Sequence, residues 1–309
     1  MRIKQLLIAV CIGTMFSACS SKDDFSIADD NVIKLSAHID EMKTRTVGNN
    51  YIHYGNFASD EQIRVYMKEH GTANNVTGIG TEGYSIYTYG TSGFTSTDSP
   101  MYPQSNGVDV TAVYPSDVAT TGTFSISQNQ YDEEEYRKSD LMSAYVENHK
   151  KSNGTVELTF KHLLSKVIIK INAGTTGIST SNIKSASMYV PHLETPISWN
   201  QTTGWSLGQI TESAGNHEII IASNETYTSE GYSAILIPGT IPPGYEFLAF
   251  GVDGGGLFSF TNSDPIELKP GCVHTFTFTI VNDKVKLSDF SNIDDWGSGG
   301  SESFNIEAL

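Results

Sequence analysis

A few stretches of the chain carry residues of a kind and spacing that could do chemistry. Gly78-Ile79-Gly80-Thr81-Glu82-Gly83 has the GxGxxG spacing of a dinucleotide site. Such a site needs a strand before the glycines and a helix after them, because the pyrophosphate rests on the helix N-terminus. Here the strand-like run Tyr84-Ser85-Ile86-Tyr87-Thr88-Tyr89 follows, so the stretch reads as a glycine-rich loop. Asp132-Glu133-Glu134-Glu135 offers the oxygens a hard cation takes, but without EF-hand spacing. It reads as a solvated loop. His162 has no second His or Cys at ligand spacing, and HExxH is absent, so it reads as a histidine at a strand bend. A glycosidase would need two facing carboxylates, and an esterase a GxSxG elbow, which is also absent. The chain is read as a non-enzyme with no catalytic residue, metal or cofactor. The covalent event that the sequence does invite is a cut: Lys43-Thr44-Arg45-Thr46 presents the Arg45–Thr46 bond to a trypsin-like protease.

The element just before that bond gives the cut a use. In Asn31 to Thr46, Ile33, Leu35, Ala37 and Ile39 alternate with Lys34, Ser36 and His38, the period-two pattern of a strand with one buried face. A core strand beside a protease site is a strand that can be lost, leaving a slot. Residues 1–18 read as a signal peptide: Arg2 and Lys4 precede the apolar run Leu6 to Phe16, which is short for a membrane span. Phe16-Ser17-Ala18-Cys19 resembles a bacterial lipobox with Cys19 as the lipidated residue, although Phe16 stands where Leu is commoner. Residues 19–30 are then a polar, acidic tether.

Composition narrows the class. The chain has 309 residues, a net charge of −16 and 29 Tyr plus Phe. This length suits two domains, and the acidity removes the basic footprint a nucleic-acid binder needs. After Cys11 and the lipidated Cys19 are set aside, only Cys272 remains, so no disulfide framework holds the mature chain. No long helical periodicity occurs. Short alternating runs lie between turn signals: Gln62 to Met67, Val108 to Tyr114 before Pro115, Val156 to Phe160, Tyr245 to Val252 and Leu257 to Phe260 around a glycine turn, and Thr275 to Ile280. Ser165 to Ile171 reads as a central strand, and Lys269-Pro270-Gly271 as a type II turn. The polar stretch Lys150 to Gly154 divides residues 31–153 from 154–309. Phe304, Ile306 and Ala308 keep period two in the tail.

Taken together, Lys43-Thr44-Arg45-Thr46 behind a lipobox, Phe160-x-His162 leading into Ser165-Lys166-Val167, Ile237-Pro238, Lys269-Pro270-Gly271 before Phe276-Thr277-Phe278, and Asp295-Trp296 resemble the fimbrillin family of Bacteroides-like bacteria. The resemblance implies an all-β chain of two tandem transthyretin-like Greek-key β-sandwich domains. It implies export to the outer membrane as a lipoprotein with a palmitate-bearing Cys19, removal of residues 31–45 by cleavage at Arg45–Thr46, and polymerisation into a cell-surface fimbrium by strand exchange. The partners are then other fimbrial subunits and the outer membrane, with a host or bacterial surface ligand for adhesion and no nucleic acid. Removing Ile33, Leu35, Ala37 and Ile39 would open the slot, and Phe304, Ile306 and Ala308 are candidate donor knobs. The competing reading is a non-polymerising adhesin or glycan-binding lipoprotein. In that case Tyr84, Tyr87, Tyr89, Phe94 and Tyr102 would form a sugar-stacking face, unless they are half-buried strand residues.

Overall fold

The computed structural model describes residues 31–40, 57–104, 107–172, 183–200, 202–211, 215–223, 231–252, 256–281, 284–294 and 300–304. Residues 1–30, which include the expected signal peptide, Cys19 and tether, and Arg45–Thr46, Asp295-Trp296, Ile306 and Ala308 lie outside these residues.

The architecture is nearly all β, as the alternating runs require. The first strands are β1 (Leu35–Ile39), β2 (Gln62–Glu69), β3 (Ser85–Gly90), β4 (Gly93–Thr95), β5 (Val108–Tyr114) and β6 (Thr121–Ser125). Helix α1 (Glu133–Lys138) interrupts them before β7 (Met142–His149), a 3-10 turn at Lys151–Asn153 and β8 (Val156–His162). Then come β9 (Ser165–Asn172), β10 (Ile183–Val190), β11 (Glu194–Asn200), β12 (Gly204–Leu207), β13 (His217–Ser223), β14 (Tyr232–Leu236) and β15 (Gly239–Ile241). The last are β16 (Glu246–Val252), β17 (Gly256–Thr261), β18 (Ile266–Leu268), β19 (Val273–Val281), β20 (Lys284–Asp294) and β21 (Gly300–Phe304).

Two cores organise these strands. A seven-stranded sheet runs β1-β8-β7-β5-β2-β3-β4. Its two end strands, β1 and β4, approach each other, so the sheet wraps around what it buries. That interior holds Ile33, Ile39, Phe57, Ile63, Val65, Met67, Val110, Leu158 and Phe160. The second core packs a five-stranded sheet, β14-β9-β19-β20-β21, with a four-stranded one, β13-β10-β16-β17. Val167, Ile169, Ile219, Phe247, Phe276 and Phe278 fill it. A three-stranded sheet, β12-β11-β6, adds Trp205 and Phe124.

The outer face of the seven-stranded sheet joins the two. Tyr66 stacks on Trp199 with centroids 4.8 Å apart, and Trp205 donates to Ala119 O at 3.0 Å. Arg64, 9% exposed, donates to the Ser116 and Val118 carbonyls and lies over the Tyr84 ring.

The chain changes core at Leu163–Leu164. β8 lies in the seven-stranded sheet with β7 and β1, and its Val156, Leu158 and Phe160 belong to the first core. The polar turn at Lys150 to Gly154 is therefore a link between two strands of one sheet. Polar composition marks exposure, and hairpin turns are as exposed as linkers.

The acidic run Asp132 to Glu135 differs from the expected loop. Asp132 caps α1, its carboxylate accepting from the Glu134 and Glu135 amides at 3.0 and 3.1 Å. Glu133 and Glu134 sit in the first turn, where carboxylates complement the helix dipole, and pair with Arg137 and Lys138 one turn on. Tyr136, 1% exposed, anchors the helix to the second core. Asp132→Ala is expected to cost about 1 kcal/mol in urea unfolding, the usual loss for an N-cap. A change under a few tenths would mean the tyrosine anchor alone sets the helix.

Candidate functional site

The slot proposed from the sequence is built as follows. β1 is an end strand of its sheet and pairs parallel with β8, Leu35 opposite Val156 and Ile39 opposite Phe160. Val156 N donates to Lys34 O at 2.8 Å and Asp40 N to Phe160 O at 2.9 Å. Peptide groups of even number thus face β8, and those of odd number face away. Side chains alternate in the orthogonal direction. Ile33 and Ile39 are 2% and 0% exposed, Leu35 and Ala37 are half-buried against the same core, and Lys34, Ser36 and His38 face out. On the solvent face His38 Nε2 lies 3.0 Å from Thr159 Oγ1.

Beneath β1 the core is aromatic. Phe57 meets Phe160 edge-on at 5.4 Å, Phe94 at 5.0 Å and Tyr114 at 5.7 Å. This accounts for the aromatics of residues 84–102. Tyr87 and Tyr102 are buried, and Tyr89 and Phe94 pack against Phe57 and each other. Tyr84 packs on Tyr66. Burial, with Asp98 nearby, pushes the Tyr87 hydroxyl up to about 12. Tyr84, Tyr89 and Phe94 are half-buried, as expected of strand and loop residues packed on a core.

Of the candidate donor residues, Phe304 ends β21, the end strand of the five-stranded sheet, and pairs antiparallel opposite Phe290.

His162 closes β8 as expected of a strand-bend histidine, but it is part of a buried polar group. Its Nδ1 lies 2.9 Å from Asp140 Oδ1, with the two side chains 2% and 1% exposed. Lys166, fully buried on β9, feels the same carboxylate. Burial pushes its amine down to about 7, with Asp140 acting in the opposite direction. His162 and Lys166 were visible as motif residues, but nothing local ties Asp140, between α1 and β7, to them. A separate cleft of about 700 Å3 lies between Glu61, Tyr114 and α1. Two of its carboxylates are engaged: Glu61 accepts from Tyr114 at 2.8 Å and Arg137 at 3.4 Å, and Glu133 from Arg137 at 2.9 Å.

Comparison with known proteins follows the same lines as the sequence motifs. The fimbrillin-like family matches residues 44–296, most of the chain. This protein belongs to the fimbrillin-like family. A Bacteroides uniformis protein provisionally named fimbrium subunit Fim1C is 29% identical over 176 residues, which are 54% of this chain. That match spans 55% of the relative's length. Two crystal structures share the fold. One, from Bacteroides uniformis and provisionally named a cell adhesion protein, has a TM-score of 0.63 at 21% identity, covering 86% of this fimbrillin-like chain and 100% of its own. A similarly named protein from Bacteroides ovatus has a TM-score of 0.61 at 21% identity, covering 90% and 99%.

Proposed function

We propose that this chain is a subunit of a cell-surface fimbria that polymerises by strand exchange. It is exported as an outer-membrane lipoprotein on Cys19 and loses β1 by cleavage at Arg45–Thr46. The observation that carries this reading is the seating of β1. The strand lies at the end of its sheet, yet its apolar side chains fill a core built from residues 57–160. Its loss would leave the slot walls in place, lined by apolar side chains and edged by β8 peptide groups. A strand from a second subunit can restore both the burial and the main-chain hydrogen bonds. Such a contact is head-to-tail and does not close, so it makes filaments.

The donor is proposed to be the tail carrying Phe304, Ile306 and Ala308, because β21 is itself an end strand. The two cores support a pair of sandwich domains in tandem. Family membership and the relative's name as a fimbrium subunit support the assembly, with adhesion as its use.

The experiment is brief trypsin treatment of lipid-free protein beginning at Ser20, read by mass spectrometry and an unboiled denaturing gel. The expected result is an early cut after Arg45 followed by a ladder of oligomers, and deletion of Phe304 to Leu309 removes the ladder. A cut chain that stays monomeric overturns the proposal.

A further inference from the structure

β1 is held on both edges where it begins. The glycines Gly78 and Gly80 explain how; their GxGxxG run is followed by strand β3 and not by a helix. Before β1 reaches β8, Ile33 N donates to Pro100 O at 2.7 Å, and Val32 forms an antiparallel bridge with Met101. Residues 98–102 thus form a strap along the edge that faces away from β8.

The strap is itself seated on the glycine loop. Ser99 N donates to Gly78 O at 3.2 Å, and Met101 N to Thr77 O at 2.8 Å. Gly78 has φ +82°, and a Cβ there would lie 2.2 Å from Ser99 O. A Cβ on Gly80 would lie 2.3 Å from Tyr84 O and 3.0 Å from the Asp98 carboxylate. Only bare backbone fits beneath the strap. At the strap's other end the buried Tyr102 hydroxyl lies 3.0 Å from His149 Nδ1 and donates to Gly154 O at 3.3 Å.

We propose that the strap is the second wall of the β1 slot and sets which strands the slot accepts. The occupant it fits is an extended segment like residues 32–40. It runs parallel to β8 and antiparallel to the strap, with a free N–H and a large apolar side chain at the place of Ile33. A segment with proline at the Ile33 place is refused, because proline cannot donate to Pro100 O. One-residue slips are refused as well, since they turn every apolar side chain outward. The inference rests on the slot reading above, but its main test does not require β1 to leave.

That test is residue-level amide exchange by NMR on the intact chain. Ile33 N–H is expected to be protected, as are Ser36 and His38 N–H, which face β8. Gly78→Ala displaces the strap, and Tyr102→Phe unpins it. Each is expected to speed exchange at Ile33 about tenfold, the scale of one main-chain hydrogen bond, and to leave Ser36 and His38 protected. If Gly78→Ala fails to fold, Tyr102→Phe carries the test. An Ile33 amide unprotected in the wild type, or unmoved in the folded variants, overturns the inference.

A second arm adds the peptide Asn31–Asp40 to the chain cut after Arg45. The peptide N-methylated at Ile33 should bind about tenfold more weakly than the unmodified one. Equal binding by both sinks the strap alone. Binding by neither sinks the exchange proposal and leaves the strap to the exchange measurement.

Discussion

Deleting residues 31–45 lowers the unfolding free energy by about 4–8 kcal/mol. Ile33 and Ile39 are fully buried, and each such side chain is worth roughly 1.5–3 kcal/mol. Leu35 and Ala37 add part of that, and the main-chain bonds to Val156, Phe160 and Pro100 are lost with the strand. Area-based sums overstate burial, because the unfolded chain is already partly collapsed, which holds the figure to this range. Domains are stable by about 5–15 kcal/mol, so the shortened chain stands near the limit of folding. Urea midpoints of the full and shortened chains measure the loss. Added Asn31–Asp40 peptide should restore most of it, which a general misfolding defect would not allow. The double variant Ile33→Ser with Ile39→Ser keeps the strand's length and isolates the two anchors, at about 3–6 kcal/mol. A shortened chain within about 1 kcal/mol of the parent would mean that β1 rests on the core without holding it, and would remove the energetic ground for exchange.

β1 was legible in the sequence because one of its faces is wet: Lys34, Ser36 and His38 break the apolar run at every second place, and the exposure follows. The partner was not legible. Parallel pairing with β8, more than a hundred residues on, leaves no local trace, because both strands would show the same alternation in any sheet. The strap was hidden for a similar reason, since its contacts with Ile33 and Gly78 are made by main chain. The glycines were visible, but glycine spacing says only that backbone comes close to something. Here it is Ser99 O where a phosphate was the other option. Helix α1 was missed because its one buried side chain, Tyr136, cannot make a periodicity, while the acidic cap and first turn that mark it also mark a solvated loop. β9 was expected as a central strand and is one, lying between β14 and β19. The consequence for Lys166 was harder to read. In a strand covered on both faces even the polar position of an alternating pattern is inside.

That burial makes the pH dependence of stability the second large effect. The Lys166 amine is pushed down to about 7 from the ordinary 10.5 by burial, against the pull of Asp140. Asp140 is itself bonded to His162, so the carboxylate that acts on the amine is shared with an imidazole. Below about pH 7 the lysine is protonated in both folded and unfolded chains, and the cost of holding a buried cation is full and constant. Between about 7 and 10.5 the unfolded chain binds a proton that the folded chain lacks, so stability rises with pH, by up to about 1.4 kcal/mol per unit. Lys166→Met removes the titration and keeps a side chain of similar length. Its offset at pH 7 combines relief of the buried amine with loss of the charge facing Asp140, and those terms oppose each other. The slope is free of that offset. Measured by urea unfolding at pH 7, 8, 9 and 10, the stability of the variant relative to wild type should fall steadily, by up to about 4 kcal/mol across the range. Tyrosines and surface lysines titrate in both proteins and cancel in the difference. A difference that stays flat from pH 7 to 10 would mean that Lys166 keeps its proton inside the fold, held by Asp140 as a buried ion pair.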